Sequence, residues 1–350
     1  MFQELQKKWR ESISYSLTED DFCYYTRELL SWQVKNNPVY QDYCRLSGID
    51  LKSKLEWHEF PALPVRTFRQ KVVSCLPESP FEQIFLTSGT SEEQRGKQHL
   101  ISTNFYHLSL KMNFDKNLPK NQKADWISLI PSSSELPQSS LSHMISYLAK
   151  AYQPPKMTYC CNASFEIDYS IFLGSILDAI QKQTPIALFA TSFALVQVCD
   201  YLSKNRPNLS LHKDSFLFET GGSKGRVREI SRFEMQTLLA QTLDLQKDQI
   251  HYEYGMTELS SQCYALATNE VFDSPPWMQV QIINPKNGEK CPPGQRGLLH
   301  FYDLANTYTC AAIATEDYGE YVDDSGRFLL HGRTPSTPPR GCSLPYEITS

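Results

Sequence analysis

Four short stretches of this 350-residue chain gather residue types that bind phosphate, metal or ribose. The first is Leu86-Thr87-Ser88-Gly89-Thr90-Ser91, which follows the apolar Phe85 and Leu86. Hydroxyls and a glycine let side-chain donors and backbone amides approach an anion closely. The Walker pattern GxxxxGK[ST] is absent, so this is not that phosphate loop. The second is Tyr252-Glu253-Tyr254-Gly255-Met256-Thr257-Glu258, at the end of an apolar run. Open α/β sheets bind ligands at the C-terminal ends of their strands. There Tyr254 can stack on a base and Thr257 can bond a phosphate. Glu258 can hold magnesium, which takes oxygen ligands together with substrate phosphates. The third, Thr315-Glu316-Asp317-Tyr318-Gly319, places Asp317 just after an apolar run, where it can accept both hydroxyls of a ribose; the fourth, Gly332-Arg333, adds a nearby cation. Each stretch taken singly also reads as a solvated turn, a strand-end cap or an ordinary surface feature.

The elements that must position these residues follow from the apolar pattern. Residues 1 to about 57 read as helical, with Leu17–Val34 and Val39–Leu51 carrying spaced aromatics and leucines among charges. Pro61 and Pro64 end that region. Short apolar runs then alternate with longer amphipathic stretches. Trp126–Ile130, Pro185–Ala190, Ser215–Glu219 and Ile250–Tyr254 are expected strands; Leu141–Ala151, Phe193–Ser203 and Val227–Gln241 are expected helices. Strand alternating with helix predicts crossover βαβ units and a mostly parallel sheet, hence an α/β fold. Beyond residue 270, Met278–Ile283, Gly297–Tyr302, Ala311–Glu316 and Phe328–His331 read as strands joined by turn-rich segments, a small β-rich subdomain. The expected organisation is a helical N-terminal region (1–75), an α/β core (76–270), and a β-rich subdomain with a tail (271–350). Pro335, Pro338 and Pro339 exclude a long helix in that tail.

Bulk properties narrow the function classes. The chain is 41% hydrophobic and 21% charged, ordinary for a globular protein, with net charge −5. A mildly acidic chain does not draw nucleic acid or an anionic membrane by bulk charge. No segment reaches the roughly 18–20 continuous apolar residues of a membrane span. The polar start lacks a secretory signal, so a cytoplasmic protein is expected. Ten scattered cysteines with no CxxC pair read as buried and reduced, neither a disulfide scaffold nor a structural zinc site.

In order and spacing, the four stretches together resemble the adenylate-forming superfamily of acyl-CoA ligases, firefly-type luciferases and nonribosomal adenylation domains, over roughly residues 80 to 340. The resemblance implies that Thr87, Ser88, Gly89 and Thr90 hold the ATP phosphates. It implies that Gly221, Gly222 and Tyr254, followed by Gly255, flank adenine. It places Thr257 on the α-phosphate, Glu258 on magnesium, and Asp317 and Arg333 on the ribose. Two features depart from the superfamily. Ser91 is followed by Glu92-Glu93-Gln94-Arg95-Gly96-Lys97 where glycine, proline and lysine are usual, leaving Lys97 or Arg95 as substitute cations. Glu316 stands where glycine is usual. The chain also runs only about seventeen residues past Arg333, and the expectation is that the swinging C-terminal domain with its catalytic lysine is absent.

The ending Arg340-Gly341-Cys342-Ser343-Leu344-Pro345-Tyr346-Glu347, the long helical start and the Pro61-to-Arg69 segment resemble a narrower family. This is the acyl-protein synthetases, the ligase subunit of the fatty-acid reductase complex of bacterial luminescence. That resemblance implies an acyl acceptor cysteine near the C-terminus, which by position is Cys342. It also implies a fatty acid substrate, with an acyl reductase and a thioesterase as partners. A thiolate attacks an acyl-phosphate anhydride readily and leaves a thioester still activated for transfer. Arg340, and also Arg333, can lower the thiol's pKa. His143 is a candidate acyl-pocket residue, and equally a helix-capping or internally satisfied histidine. Two other readings remain open: a ligase for acyl or aryl acids that delivers to CoA or a carrier protein, and a degenerate nucleotide-binding subunit.

Overall fold

Helix signals in the first fifty residues are strong, and the computed structural model bears them out. It describes residues 2–50, 55–87, 95–119, 123–205, 209–221 and 230–333. Helices α1 (Phe2–Ser12), α2 (Glu19–Asn36) and α3 (Pro38–Leu46) come first. Thr18 and Asp21 close a reciprocal capping box at the start of α2. Asn37 caps α3, with Pro38 in its first turn, where a missing N–H costs nothing. The expected helix to Leu51 stops at Leu46, and Gly48 follows with a φ of 75°. These helices bury Phe22, Leu29, Leu30, Val34 and Tyr40. Two amides fasten them to the C-terminal half: Gln33 donates to the carbonyls of Asn306 and Thr307 and accepts from Ala311 N–H, and Asn37 donates to Thr309 O.

The connection onward holds β1 (Leu63–Pro64), α4 (Thr67–Gln70), an antiparallel hairpin of β2 (Gln83–Leu86) and β3 (Lys97–Leu100), and α5 (Asn104–Asn117). Neither the hairpin nor α5 is legible in the hydrophobic pattern. The α/β core then runs β4 (Asp125–Ser128), α6 (Ser140–Tyr152), β5 (Met157–Tyr159), α7 (Tyr169–Lys182), β6 (Ile186–Thr191), α8 (Ser192–Asn205), β7 (Phe216–Thr220), α9 (Arg232–Leu243), β8 (Ile250–Tyr254) and β9 (Cys263–Leu266). The sheet order is β5-β4-β6-β7-β8-β9, parallel except for β9. Helix α9 starts at Arg232, capped by Ser231; the expected start, Val227, lies outside the described residues.

Side-chain alternation along these strands sorts the core into two layers. Trp126, Phe189, Phe216 and Phe218 pack with Tyr106, Phe114, Ile145 and Leu148 from α5 and α6. Leu188, Leu217, Ile250 and Tyr252 pack on the opposite face with Phe172, Val198, Leu202 and Leu239 from α7, α8 and α9. Burial on both faces is what makes these strands read as continuous apolar runs.

Strands β10 (Val271–Phe272), β11 (Met278–Ile283), β12 (Arg296–Asp303), β13 (Ala312–Tyr321) and β14 (Phe328–Gly332) form an antiparallel sheet in the order β10-β14-β13-β12-β11. β1 adds in parallel to β13, so the N-terminal region also contributes a strand. The expected strand ending at Glu316 in fact continues to Tyr321. Asp317 therefore lies within a strand and not just after one. Between the pairs Leu298↔Tyr318 and His300↔Ala314 the register shifts, and Thr315–Asp317 stand opposite the single residue Leu299 in a bulge.

The two sheets meet at Asp303, which is fully buried. Its Oδ2 accepts the N–H groups of Ser260 (3.0 Å) and Ser261 (2.9 Å), and its Oδ1 accepts Ser261 Oγ (2.7 Å) and Ala305 N–H (3.0 Å). Burial raises its pKa to about 6, and the four donors pull the other way, so it is ionised at neutral pH. Asp303→Asn replaces one accepting oxygen with a donor. We expect a loss of roughly 1–3 kcal/mol for each N–H or O–H left without an acceptor, read as a lower urea midpoint; an unchanged midpoint would show that the clamp contributes nothing.

Candidate active site

Strand β8 ends on Tyr254, and the turn that follows carries Thr257 and Glu258. Tyr254 is buried and packs nearly parallel to Phe301, with ring centroids 5.6 Å apart. Its hydroxyl donates to Asp317 Oδ2 at 2.8 Å. Arg333 Nε donates to the other oxygen, Oδ1, at 2.9 Å. The bulge directs Asp317 inward, and its N–H is held by Thr315 Oγ1 at 3.0 Å. Gly332, at a φ of 70°, turns the end of β14 so that Arg333 reaches back across the sheet edge. Three of the expected residues thus meet in one cluster although they belong to β8, β13 and the end of β14. Arg333 also lies 3.8 Å from Glu316, the departure from the usual glycine.

A second cluster forms where the hairpin meets the turn. Thr87 and Gly96 close the hairpin base: Thr87 N–H donates to Gly96 O (2.9 Å), and Gly96 N–H donates to Thr87 Oγ1 (2.8 Å). A Cβ placed on Gly96 would stand 3.0 Å from Thr87 Cγ2 and 3.4 Å from Glu258 Oε1. Thr87, Gly96 and the Glu258 carboxylate therefore share one small space. Gly96 is the residue that leaves room for it, and its role was not legible in the sequence. Glu258 is buried, and its backbone carbonyl accepts from Gln98 Nε2 (3.2 Å) and Asn306 Nδ2 (2.8 Å). Thr257 Oγ1 lies 3.4 Å from Ser140 Oγ, at the start of α6. Of the two substitute cations, Arg95 donates its Nε to Thr87 O at 2.7 Å, whereas Lys97 is exposed on β3.

Gly221 lies exposed just beyond β7. Gly255 is held by close approach: a Cβ there would collide with the Glu253 carboxyl. Ser88, Gly89, Thr90, Gly222 and Cys342 lie outside the described residues.

His143 lies in the first turn of α6, but Ser139 is the residue that caps that helix. Its Nε2 is 2.8 Å from His107 Nε2, the two rings are parallel, and His107 stacks on Tyr147 with centroids 3.9 Å apart. Burial lowers the pKa of both imidazoles, that of His107 to about 4. Both are neutral at pH 7, one donating and the other accepting. His107, on α5, is a partner that nothing in the local sequence announces.

Among the described residues no group of three or more His, Cys, Asp or Glu could hold a metal by itself. A divalent cation here would rest on Glu258 and on the ligand's own phosphates, the usual arrangement for magnesium. The hard oxygen donor and the small space against Thr87 and Gly96 fit such an ion. A cleft of about 680 Å³ lies between the start of α2 and the turns of the β-rich sheet, and none of the candidate residues lines it. No described helix is long and apolar enough to cross a membrane.

Comparison with known proteins bears on the family and the fold. The chain is 24% identical over 306 residues to the long-chain-fatty-acid–luciferin-component ligase of Vibrio harveyi, an alignment covering 84% of this chain and 78% of that protein. Its fold matches a 2-hydroxyisobutyryl-CoA ligase solved with its acyl-adenylate and CoA (TM-score 0.66, 13% identity, 90% of this chain and 69% of that one). It also matches an ATP-bound RpMatB-BxBclM chimera (TM-score 0.51, 13% identity, 72% and 48%). The fold is that of adenylate-forming enzymes. The family model "Acyl-protein synthetase, LuxE" matches residues 13–345, nearly the whole chain, and the protein accordingly belongs to this family of acid ligases.

Proposed function

We propose that this enzyme activates a fatty carboxylic acid with ATP and then takes the acyl group onto its own Cys342. The observation that carries the proposal is the meeting of Thr87, Gly96 and Glu258 in one space beside Thr257, with the Tyr254–Asp317–Arg333 cluster formed by the same strand end. In this reading Asp317 and Arg333 hold the ribose, and Asp317 retains lone pairs for it beyond the two bonds it already accepts. Gly221, Gly222 and Tyr254 border the adenine. Thr87, Ser88, Gly89 and Thr90 hold the phosphates with their hydroxyls and amides, and Thr257 bonds the α-phosphate. Glu258 is the magnesium ligand, and the ion supplies neutralisation of phosphate charge. His143, fixed by His107, borders the acid.

The substrate carboxylate oxygen bonds to the α-phosphorus while the bond to the β-phosphate oxygen breaks and pyrophosphate leaves. Positioning and charge neutralisation do most of this work. The Cys342 thiolate then adds to the acyl carbonyl, the carbonyl–phosphate oxygen bond breaks, and AMP leaves. The thioester passes to an acyl reductase, and a thioesterase supplies the acid. The fatty character of the substrate is supported by the name of the Vibrio harveyi relative. A cytoplasmic site of action is part of the same proposal; the nine described cysteines are all free, as a reducing compartment would keep them.

Incubation with ATP, magnesium and a panel of acids, followed by intact-mass measurement, tests both steps. A mass increase equal to one acyl group, removed by neutral hydroxylamine, is expected for a fatty acid. Cys342→Ala should form acyl-AMP at the wild-type rate and carry no acyl group; a variant that still labels fully overturns the acceptor assignment. Glu258→Gln should lower the rate of pyrophosphate release by roughly 10²–10³-fold, the size of losing one electrostatic contact to the reacting phosphates. Asp317→Ala should raise the KM for ATP about tenfold or more, in line with the loss of a charged hydrogen-bond partner, and leave the KM for the acid unchanged.

A further inference from the structure

Glu253 occupies a position that the proposed chemistry does not use. It precedes Tyr254 on β8 and points to the opposite face of the sheet, the one covered by α5. It is 8% exposed. Its carboxyl oxygen stands where a side chain on residue 255 would begin, so the acid packs directly on the backbone of Gly255. Gly255 opens the turn that carries Thr257 and Glu258. The side chain of Gln262 packs on the same glycine, with Cγ 3.4 Å from that Cβ position.

The surroundings favour an uncharged acid. The groups that face Glu253 are Thr220 at the end of β7, Tyr106 from α5, and Cys263 and Tyr264 from β9. The thiol and both phenols are themselves pushed well above their ordinary ranges by burial, so they are neutral at pH 7. Among the described residues no lysine, arginine or histidine acts on the carboxyl. Gln262 Oε1 and the Tyr264 hydroxyl are buried with no partner. A neutral carboxylic acid carries one O–H, and Gln262 Oε1 is an acceptor without a donor on the same side of Gly255.

We propose that Glu253 is a proton-linked positioning residue: in its neutral form it braces the Gly255 turn, and on ionisation it releases the turn that holds Thr257 and Glu258. Burial pushes the carboxyl up to about 7, with the Thr220 hydroxyl pulling in the opposite direction. The sign follows from linkage. In the unfolded chain the group ionises near 4.5, so its stabilising contribution is complete below that pH and is lost as pH rises through about 7. The inference rests on the adenylation reading for its activity readout; its stability readout is independent of that reading.

The test measures acid-dependent ATP–pyrophosphate exchange and thermal unfolding from pH 5.5 to 9 for the wild type, Glu253→Gln and Thr220→Val. The wild type should lose exchange activity above neutrality, approaching tenfold per pH unit as a single ionisation requires, with the fall in kcat and not in the KM for ATP. Glu253→Gln, an uncharged isostere, should hold its rate across that range. Thr220→Val removes a hydroxyl that favours the charged form and should move the alkaline fall to higher pH, which keeps the idea testable if Glu253→Gln does not fold. The same alkaline fall in wild type and both variants overturns it. Should no acid support exchange in the wild type, the adenylation reading fails and the melting temperatures decide this one. The wild type should then lose stability relative to Glu253→Gln between pH 6 and 8.5, and parallel curves for wild type and the folded variants overturn the proposal.

Discussion

The buried carboxylate of Asp303 is the interaction on which the arrangement of the site depends. It stands at the end of β12 in one sheet and binds the backbone of Ser260 and Ser261, which leave the β8 turn of the other. The surrounding bonds converge on the same few residues. Asn306 donates to Glu258 O and accepts from Ser260 Oγ; Asn113 of α5 donates to Gln262 O; Trp277 Nε1 donates to Ser109 and Ser261. A segment of irregular backbone between two sheets would otherwise bury unpaired polar groups. Here nearly every support comes from a different element, so the turn that places Thr257 and Glu258 is set by the packing of the whole protein.

This explains why polar residues are spent in the interior. Gln33, Asn37, Gln98, Ser109, Asn113, Ser261, Asp303 and Asn306 are all buried. A buried polar network is costly if half satisfied and specifying if complete. Gln33, Asn37 and Gln98 join the N-terminal helices and the hairpin to the loop between β12 and β13, and Ser109 and Asn113 join α5 to the segment between β8 and β9. They tie the elements around Thr87 and Glu258 to those of the second sheet, which carries Asp317. Adenylation needs reacting atoms held within a fraction of an ångström, and such a tie is how a two-sheet scaffold meets that requirement.

Much of the site is legible in the residues themselves. Hydroxyls and glycine after Phe85, the Tyr254-to-Glu258 run, Asp317 and Arg333 can be picked out because phosphate, magnesium and ribose each demand particular functional groups. The central strands are equally legible, because burial on both faces writes them as apolar runs. Helix α5 is not, since its sequence, NFYHLSLKMNFDKN, spreads apolar and polar groups around the axis; its buried face includes Ser109 and Asn113, which are polar because they serve the turn. The strand through Asp317 was expected to end early, because its inward positions Thr315, Asp317 and Gly319 are not apolar, although burial alternates through them.

The sequence by itself determined the chemical inventory, the α/β class and the order in which the motifs occur, since these follow from local composition and period. Only the tertiary structure decided which groups meet. Gln98 reaches Glu258 across 160 residues, and His107 finds His143 across 36. Gly96 leaves room for Glu258, and Gln262 comes to rest against Gly255, because the hairpin and β9 pack where they do. A residue's partner is fixed by how sheets and helices stack, and side-chain type and spacing carry no local record of that stacking.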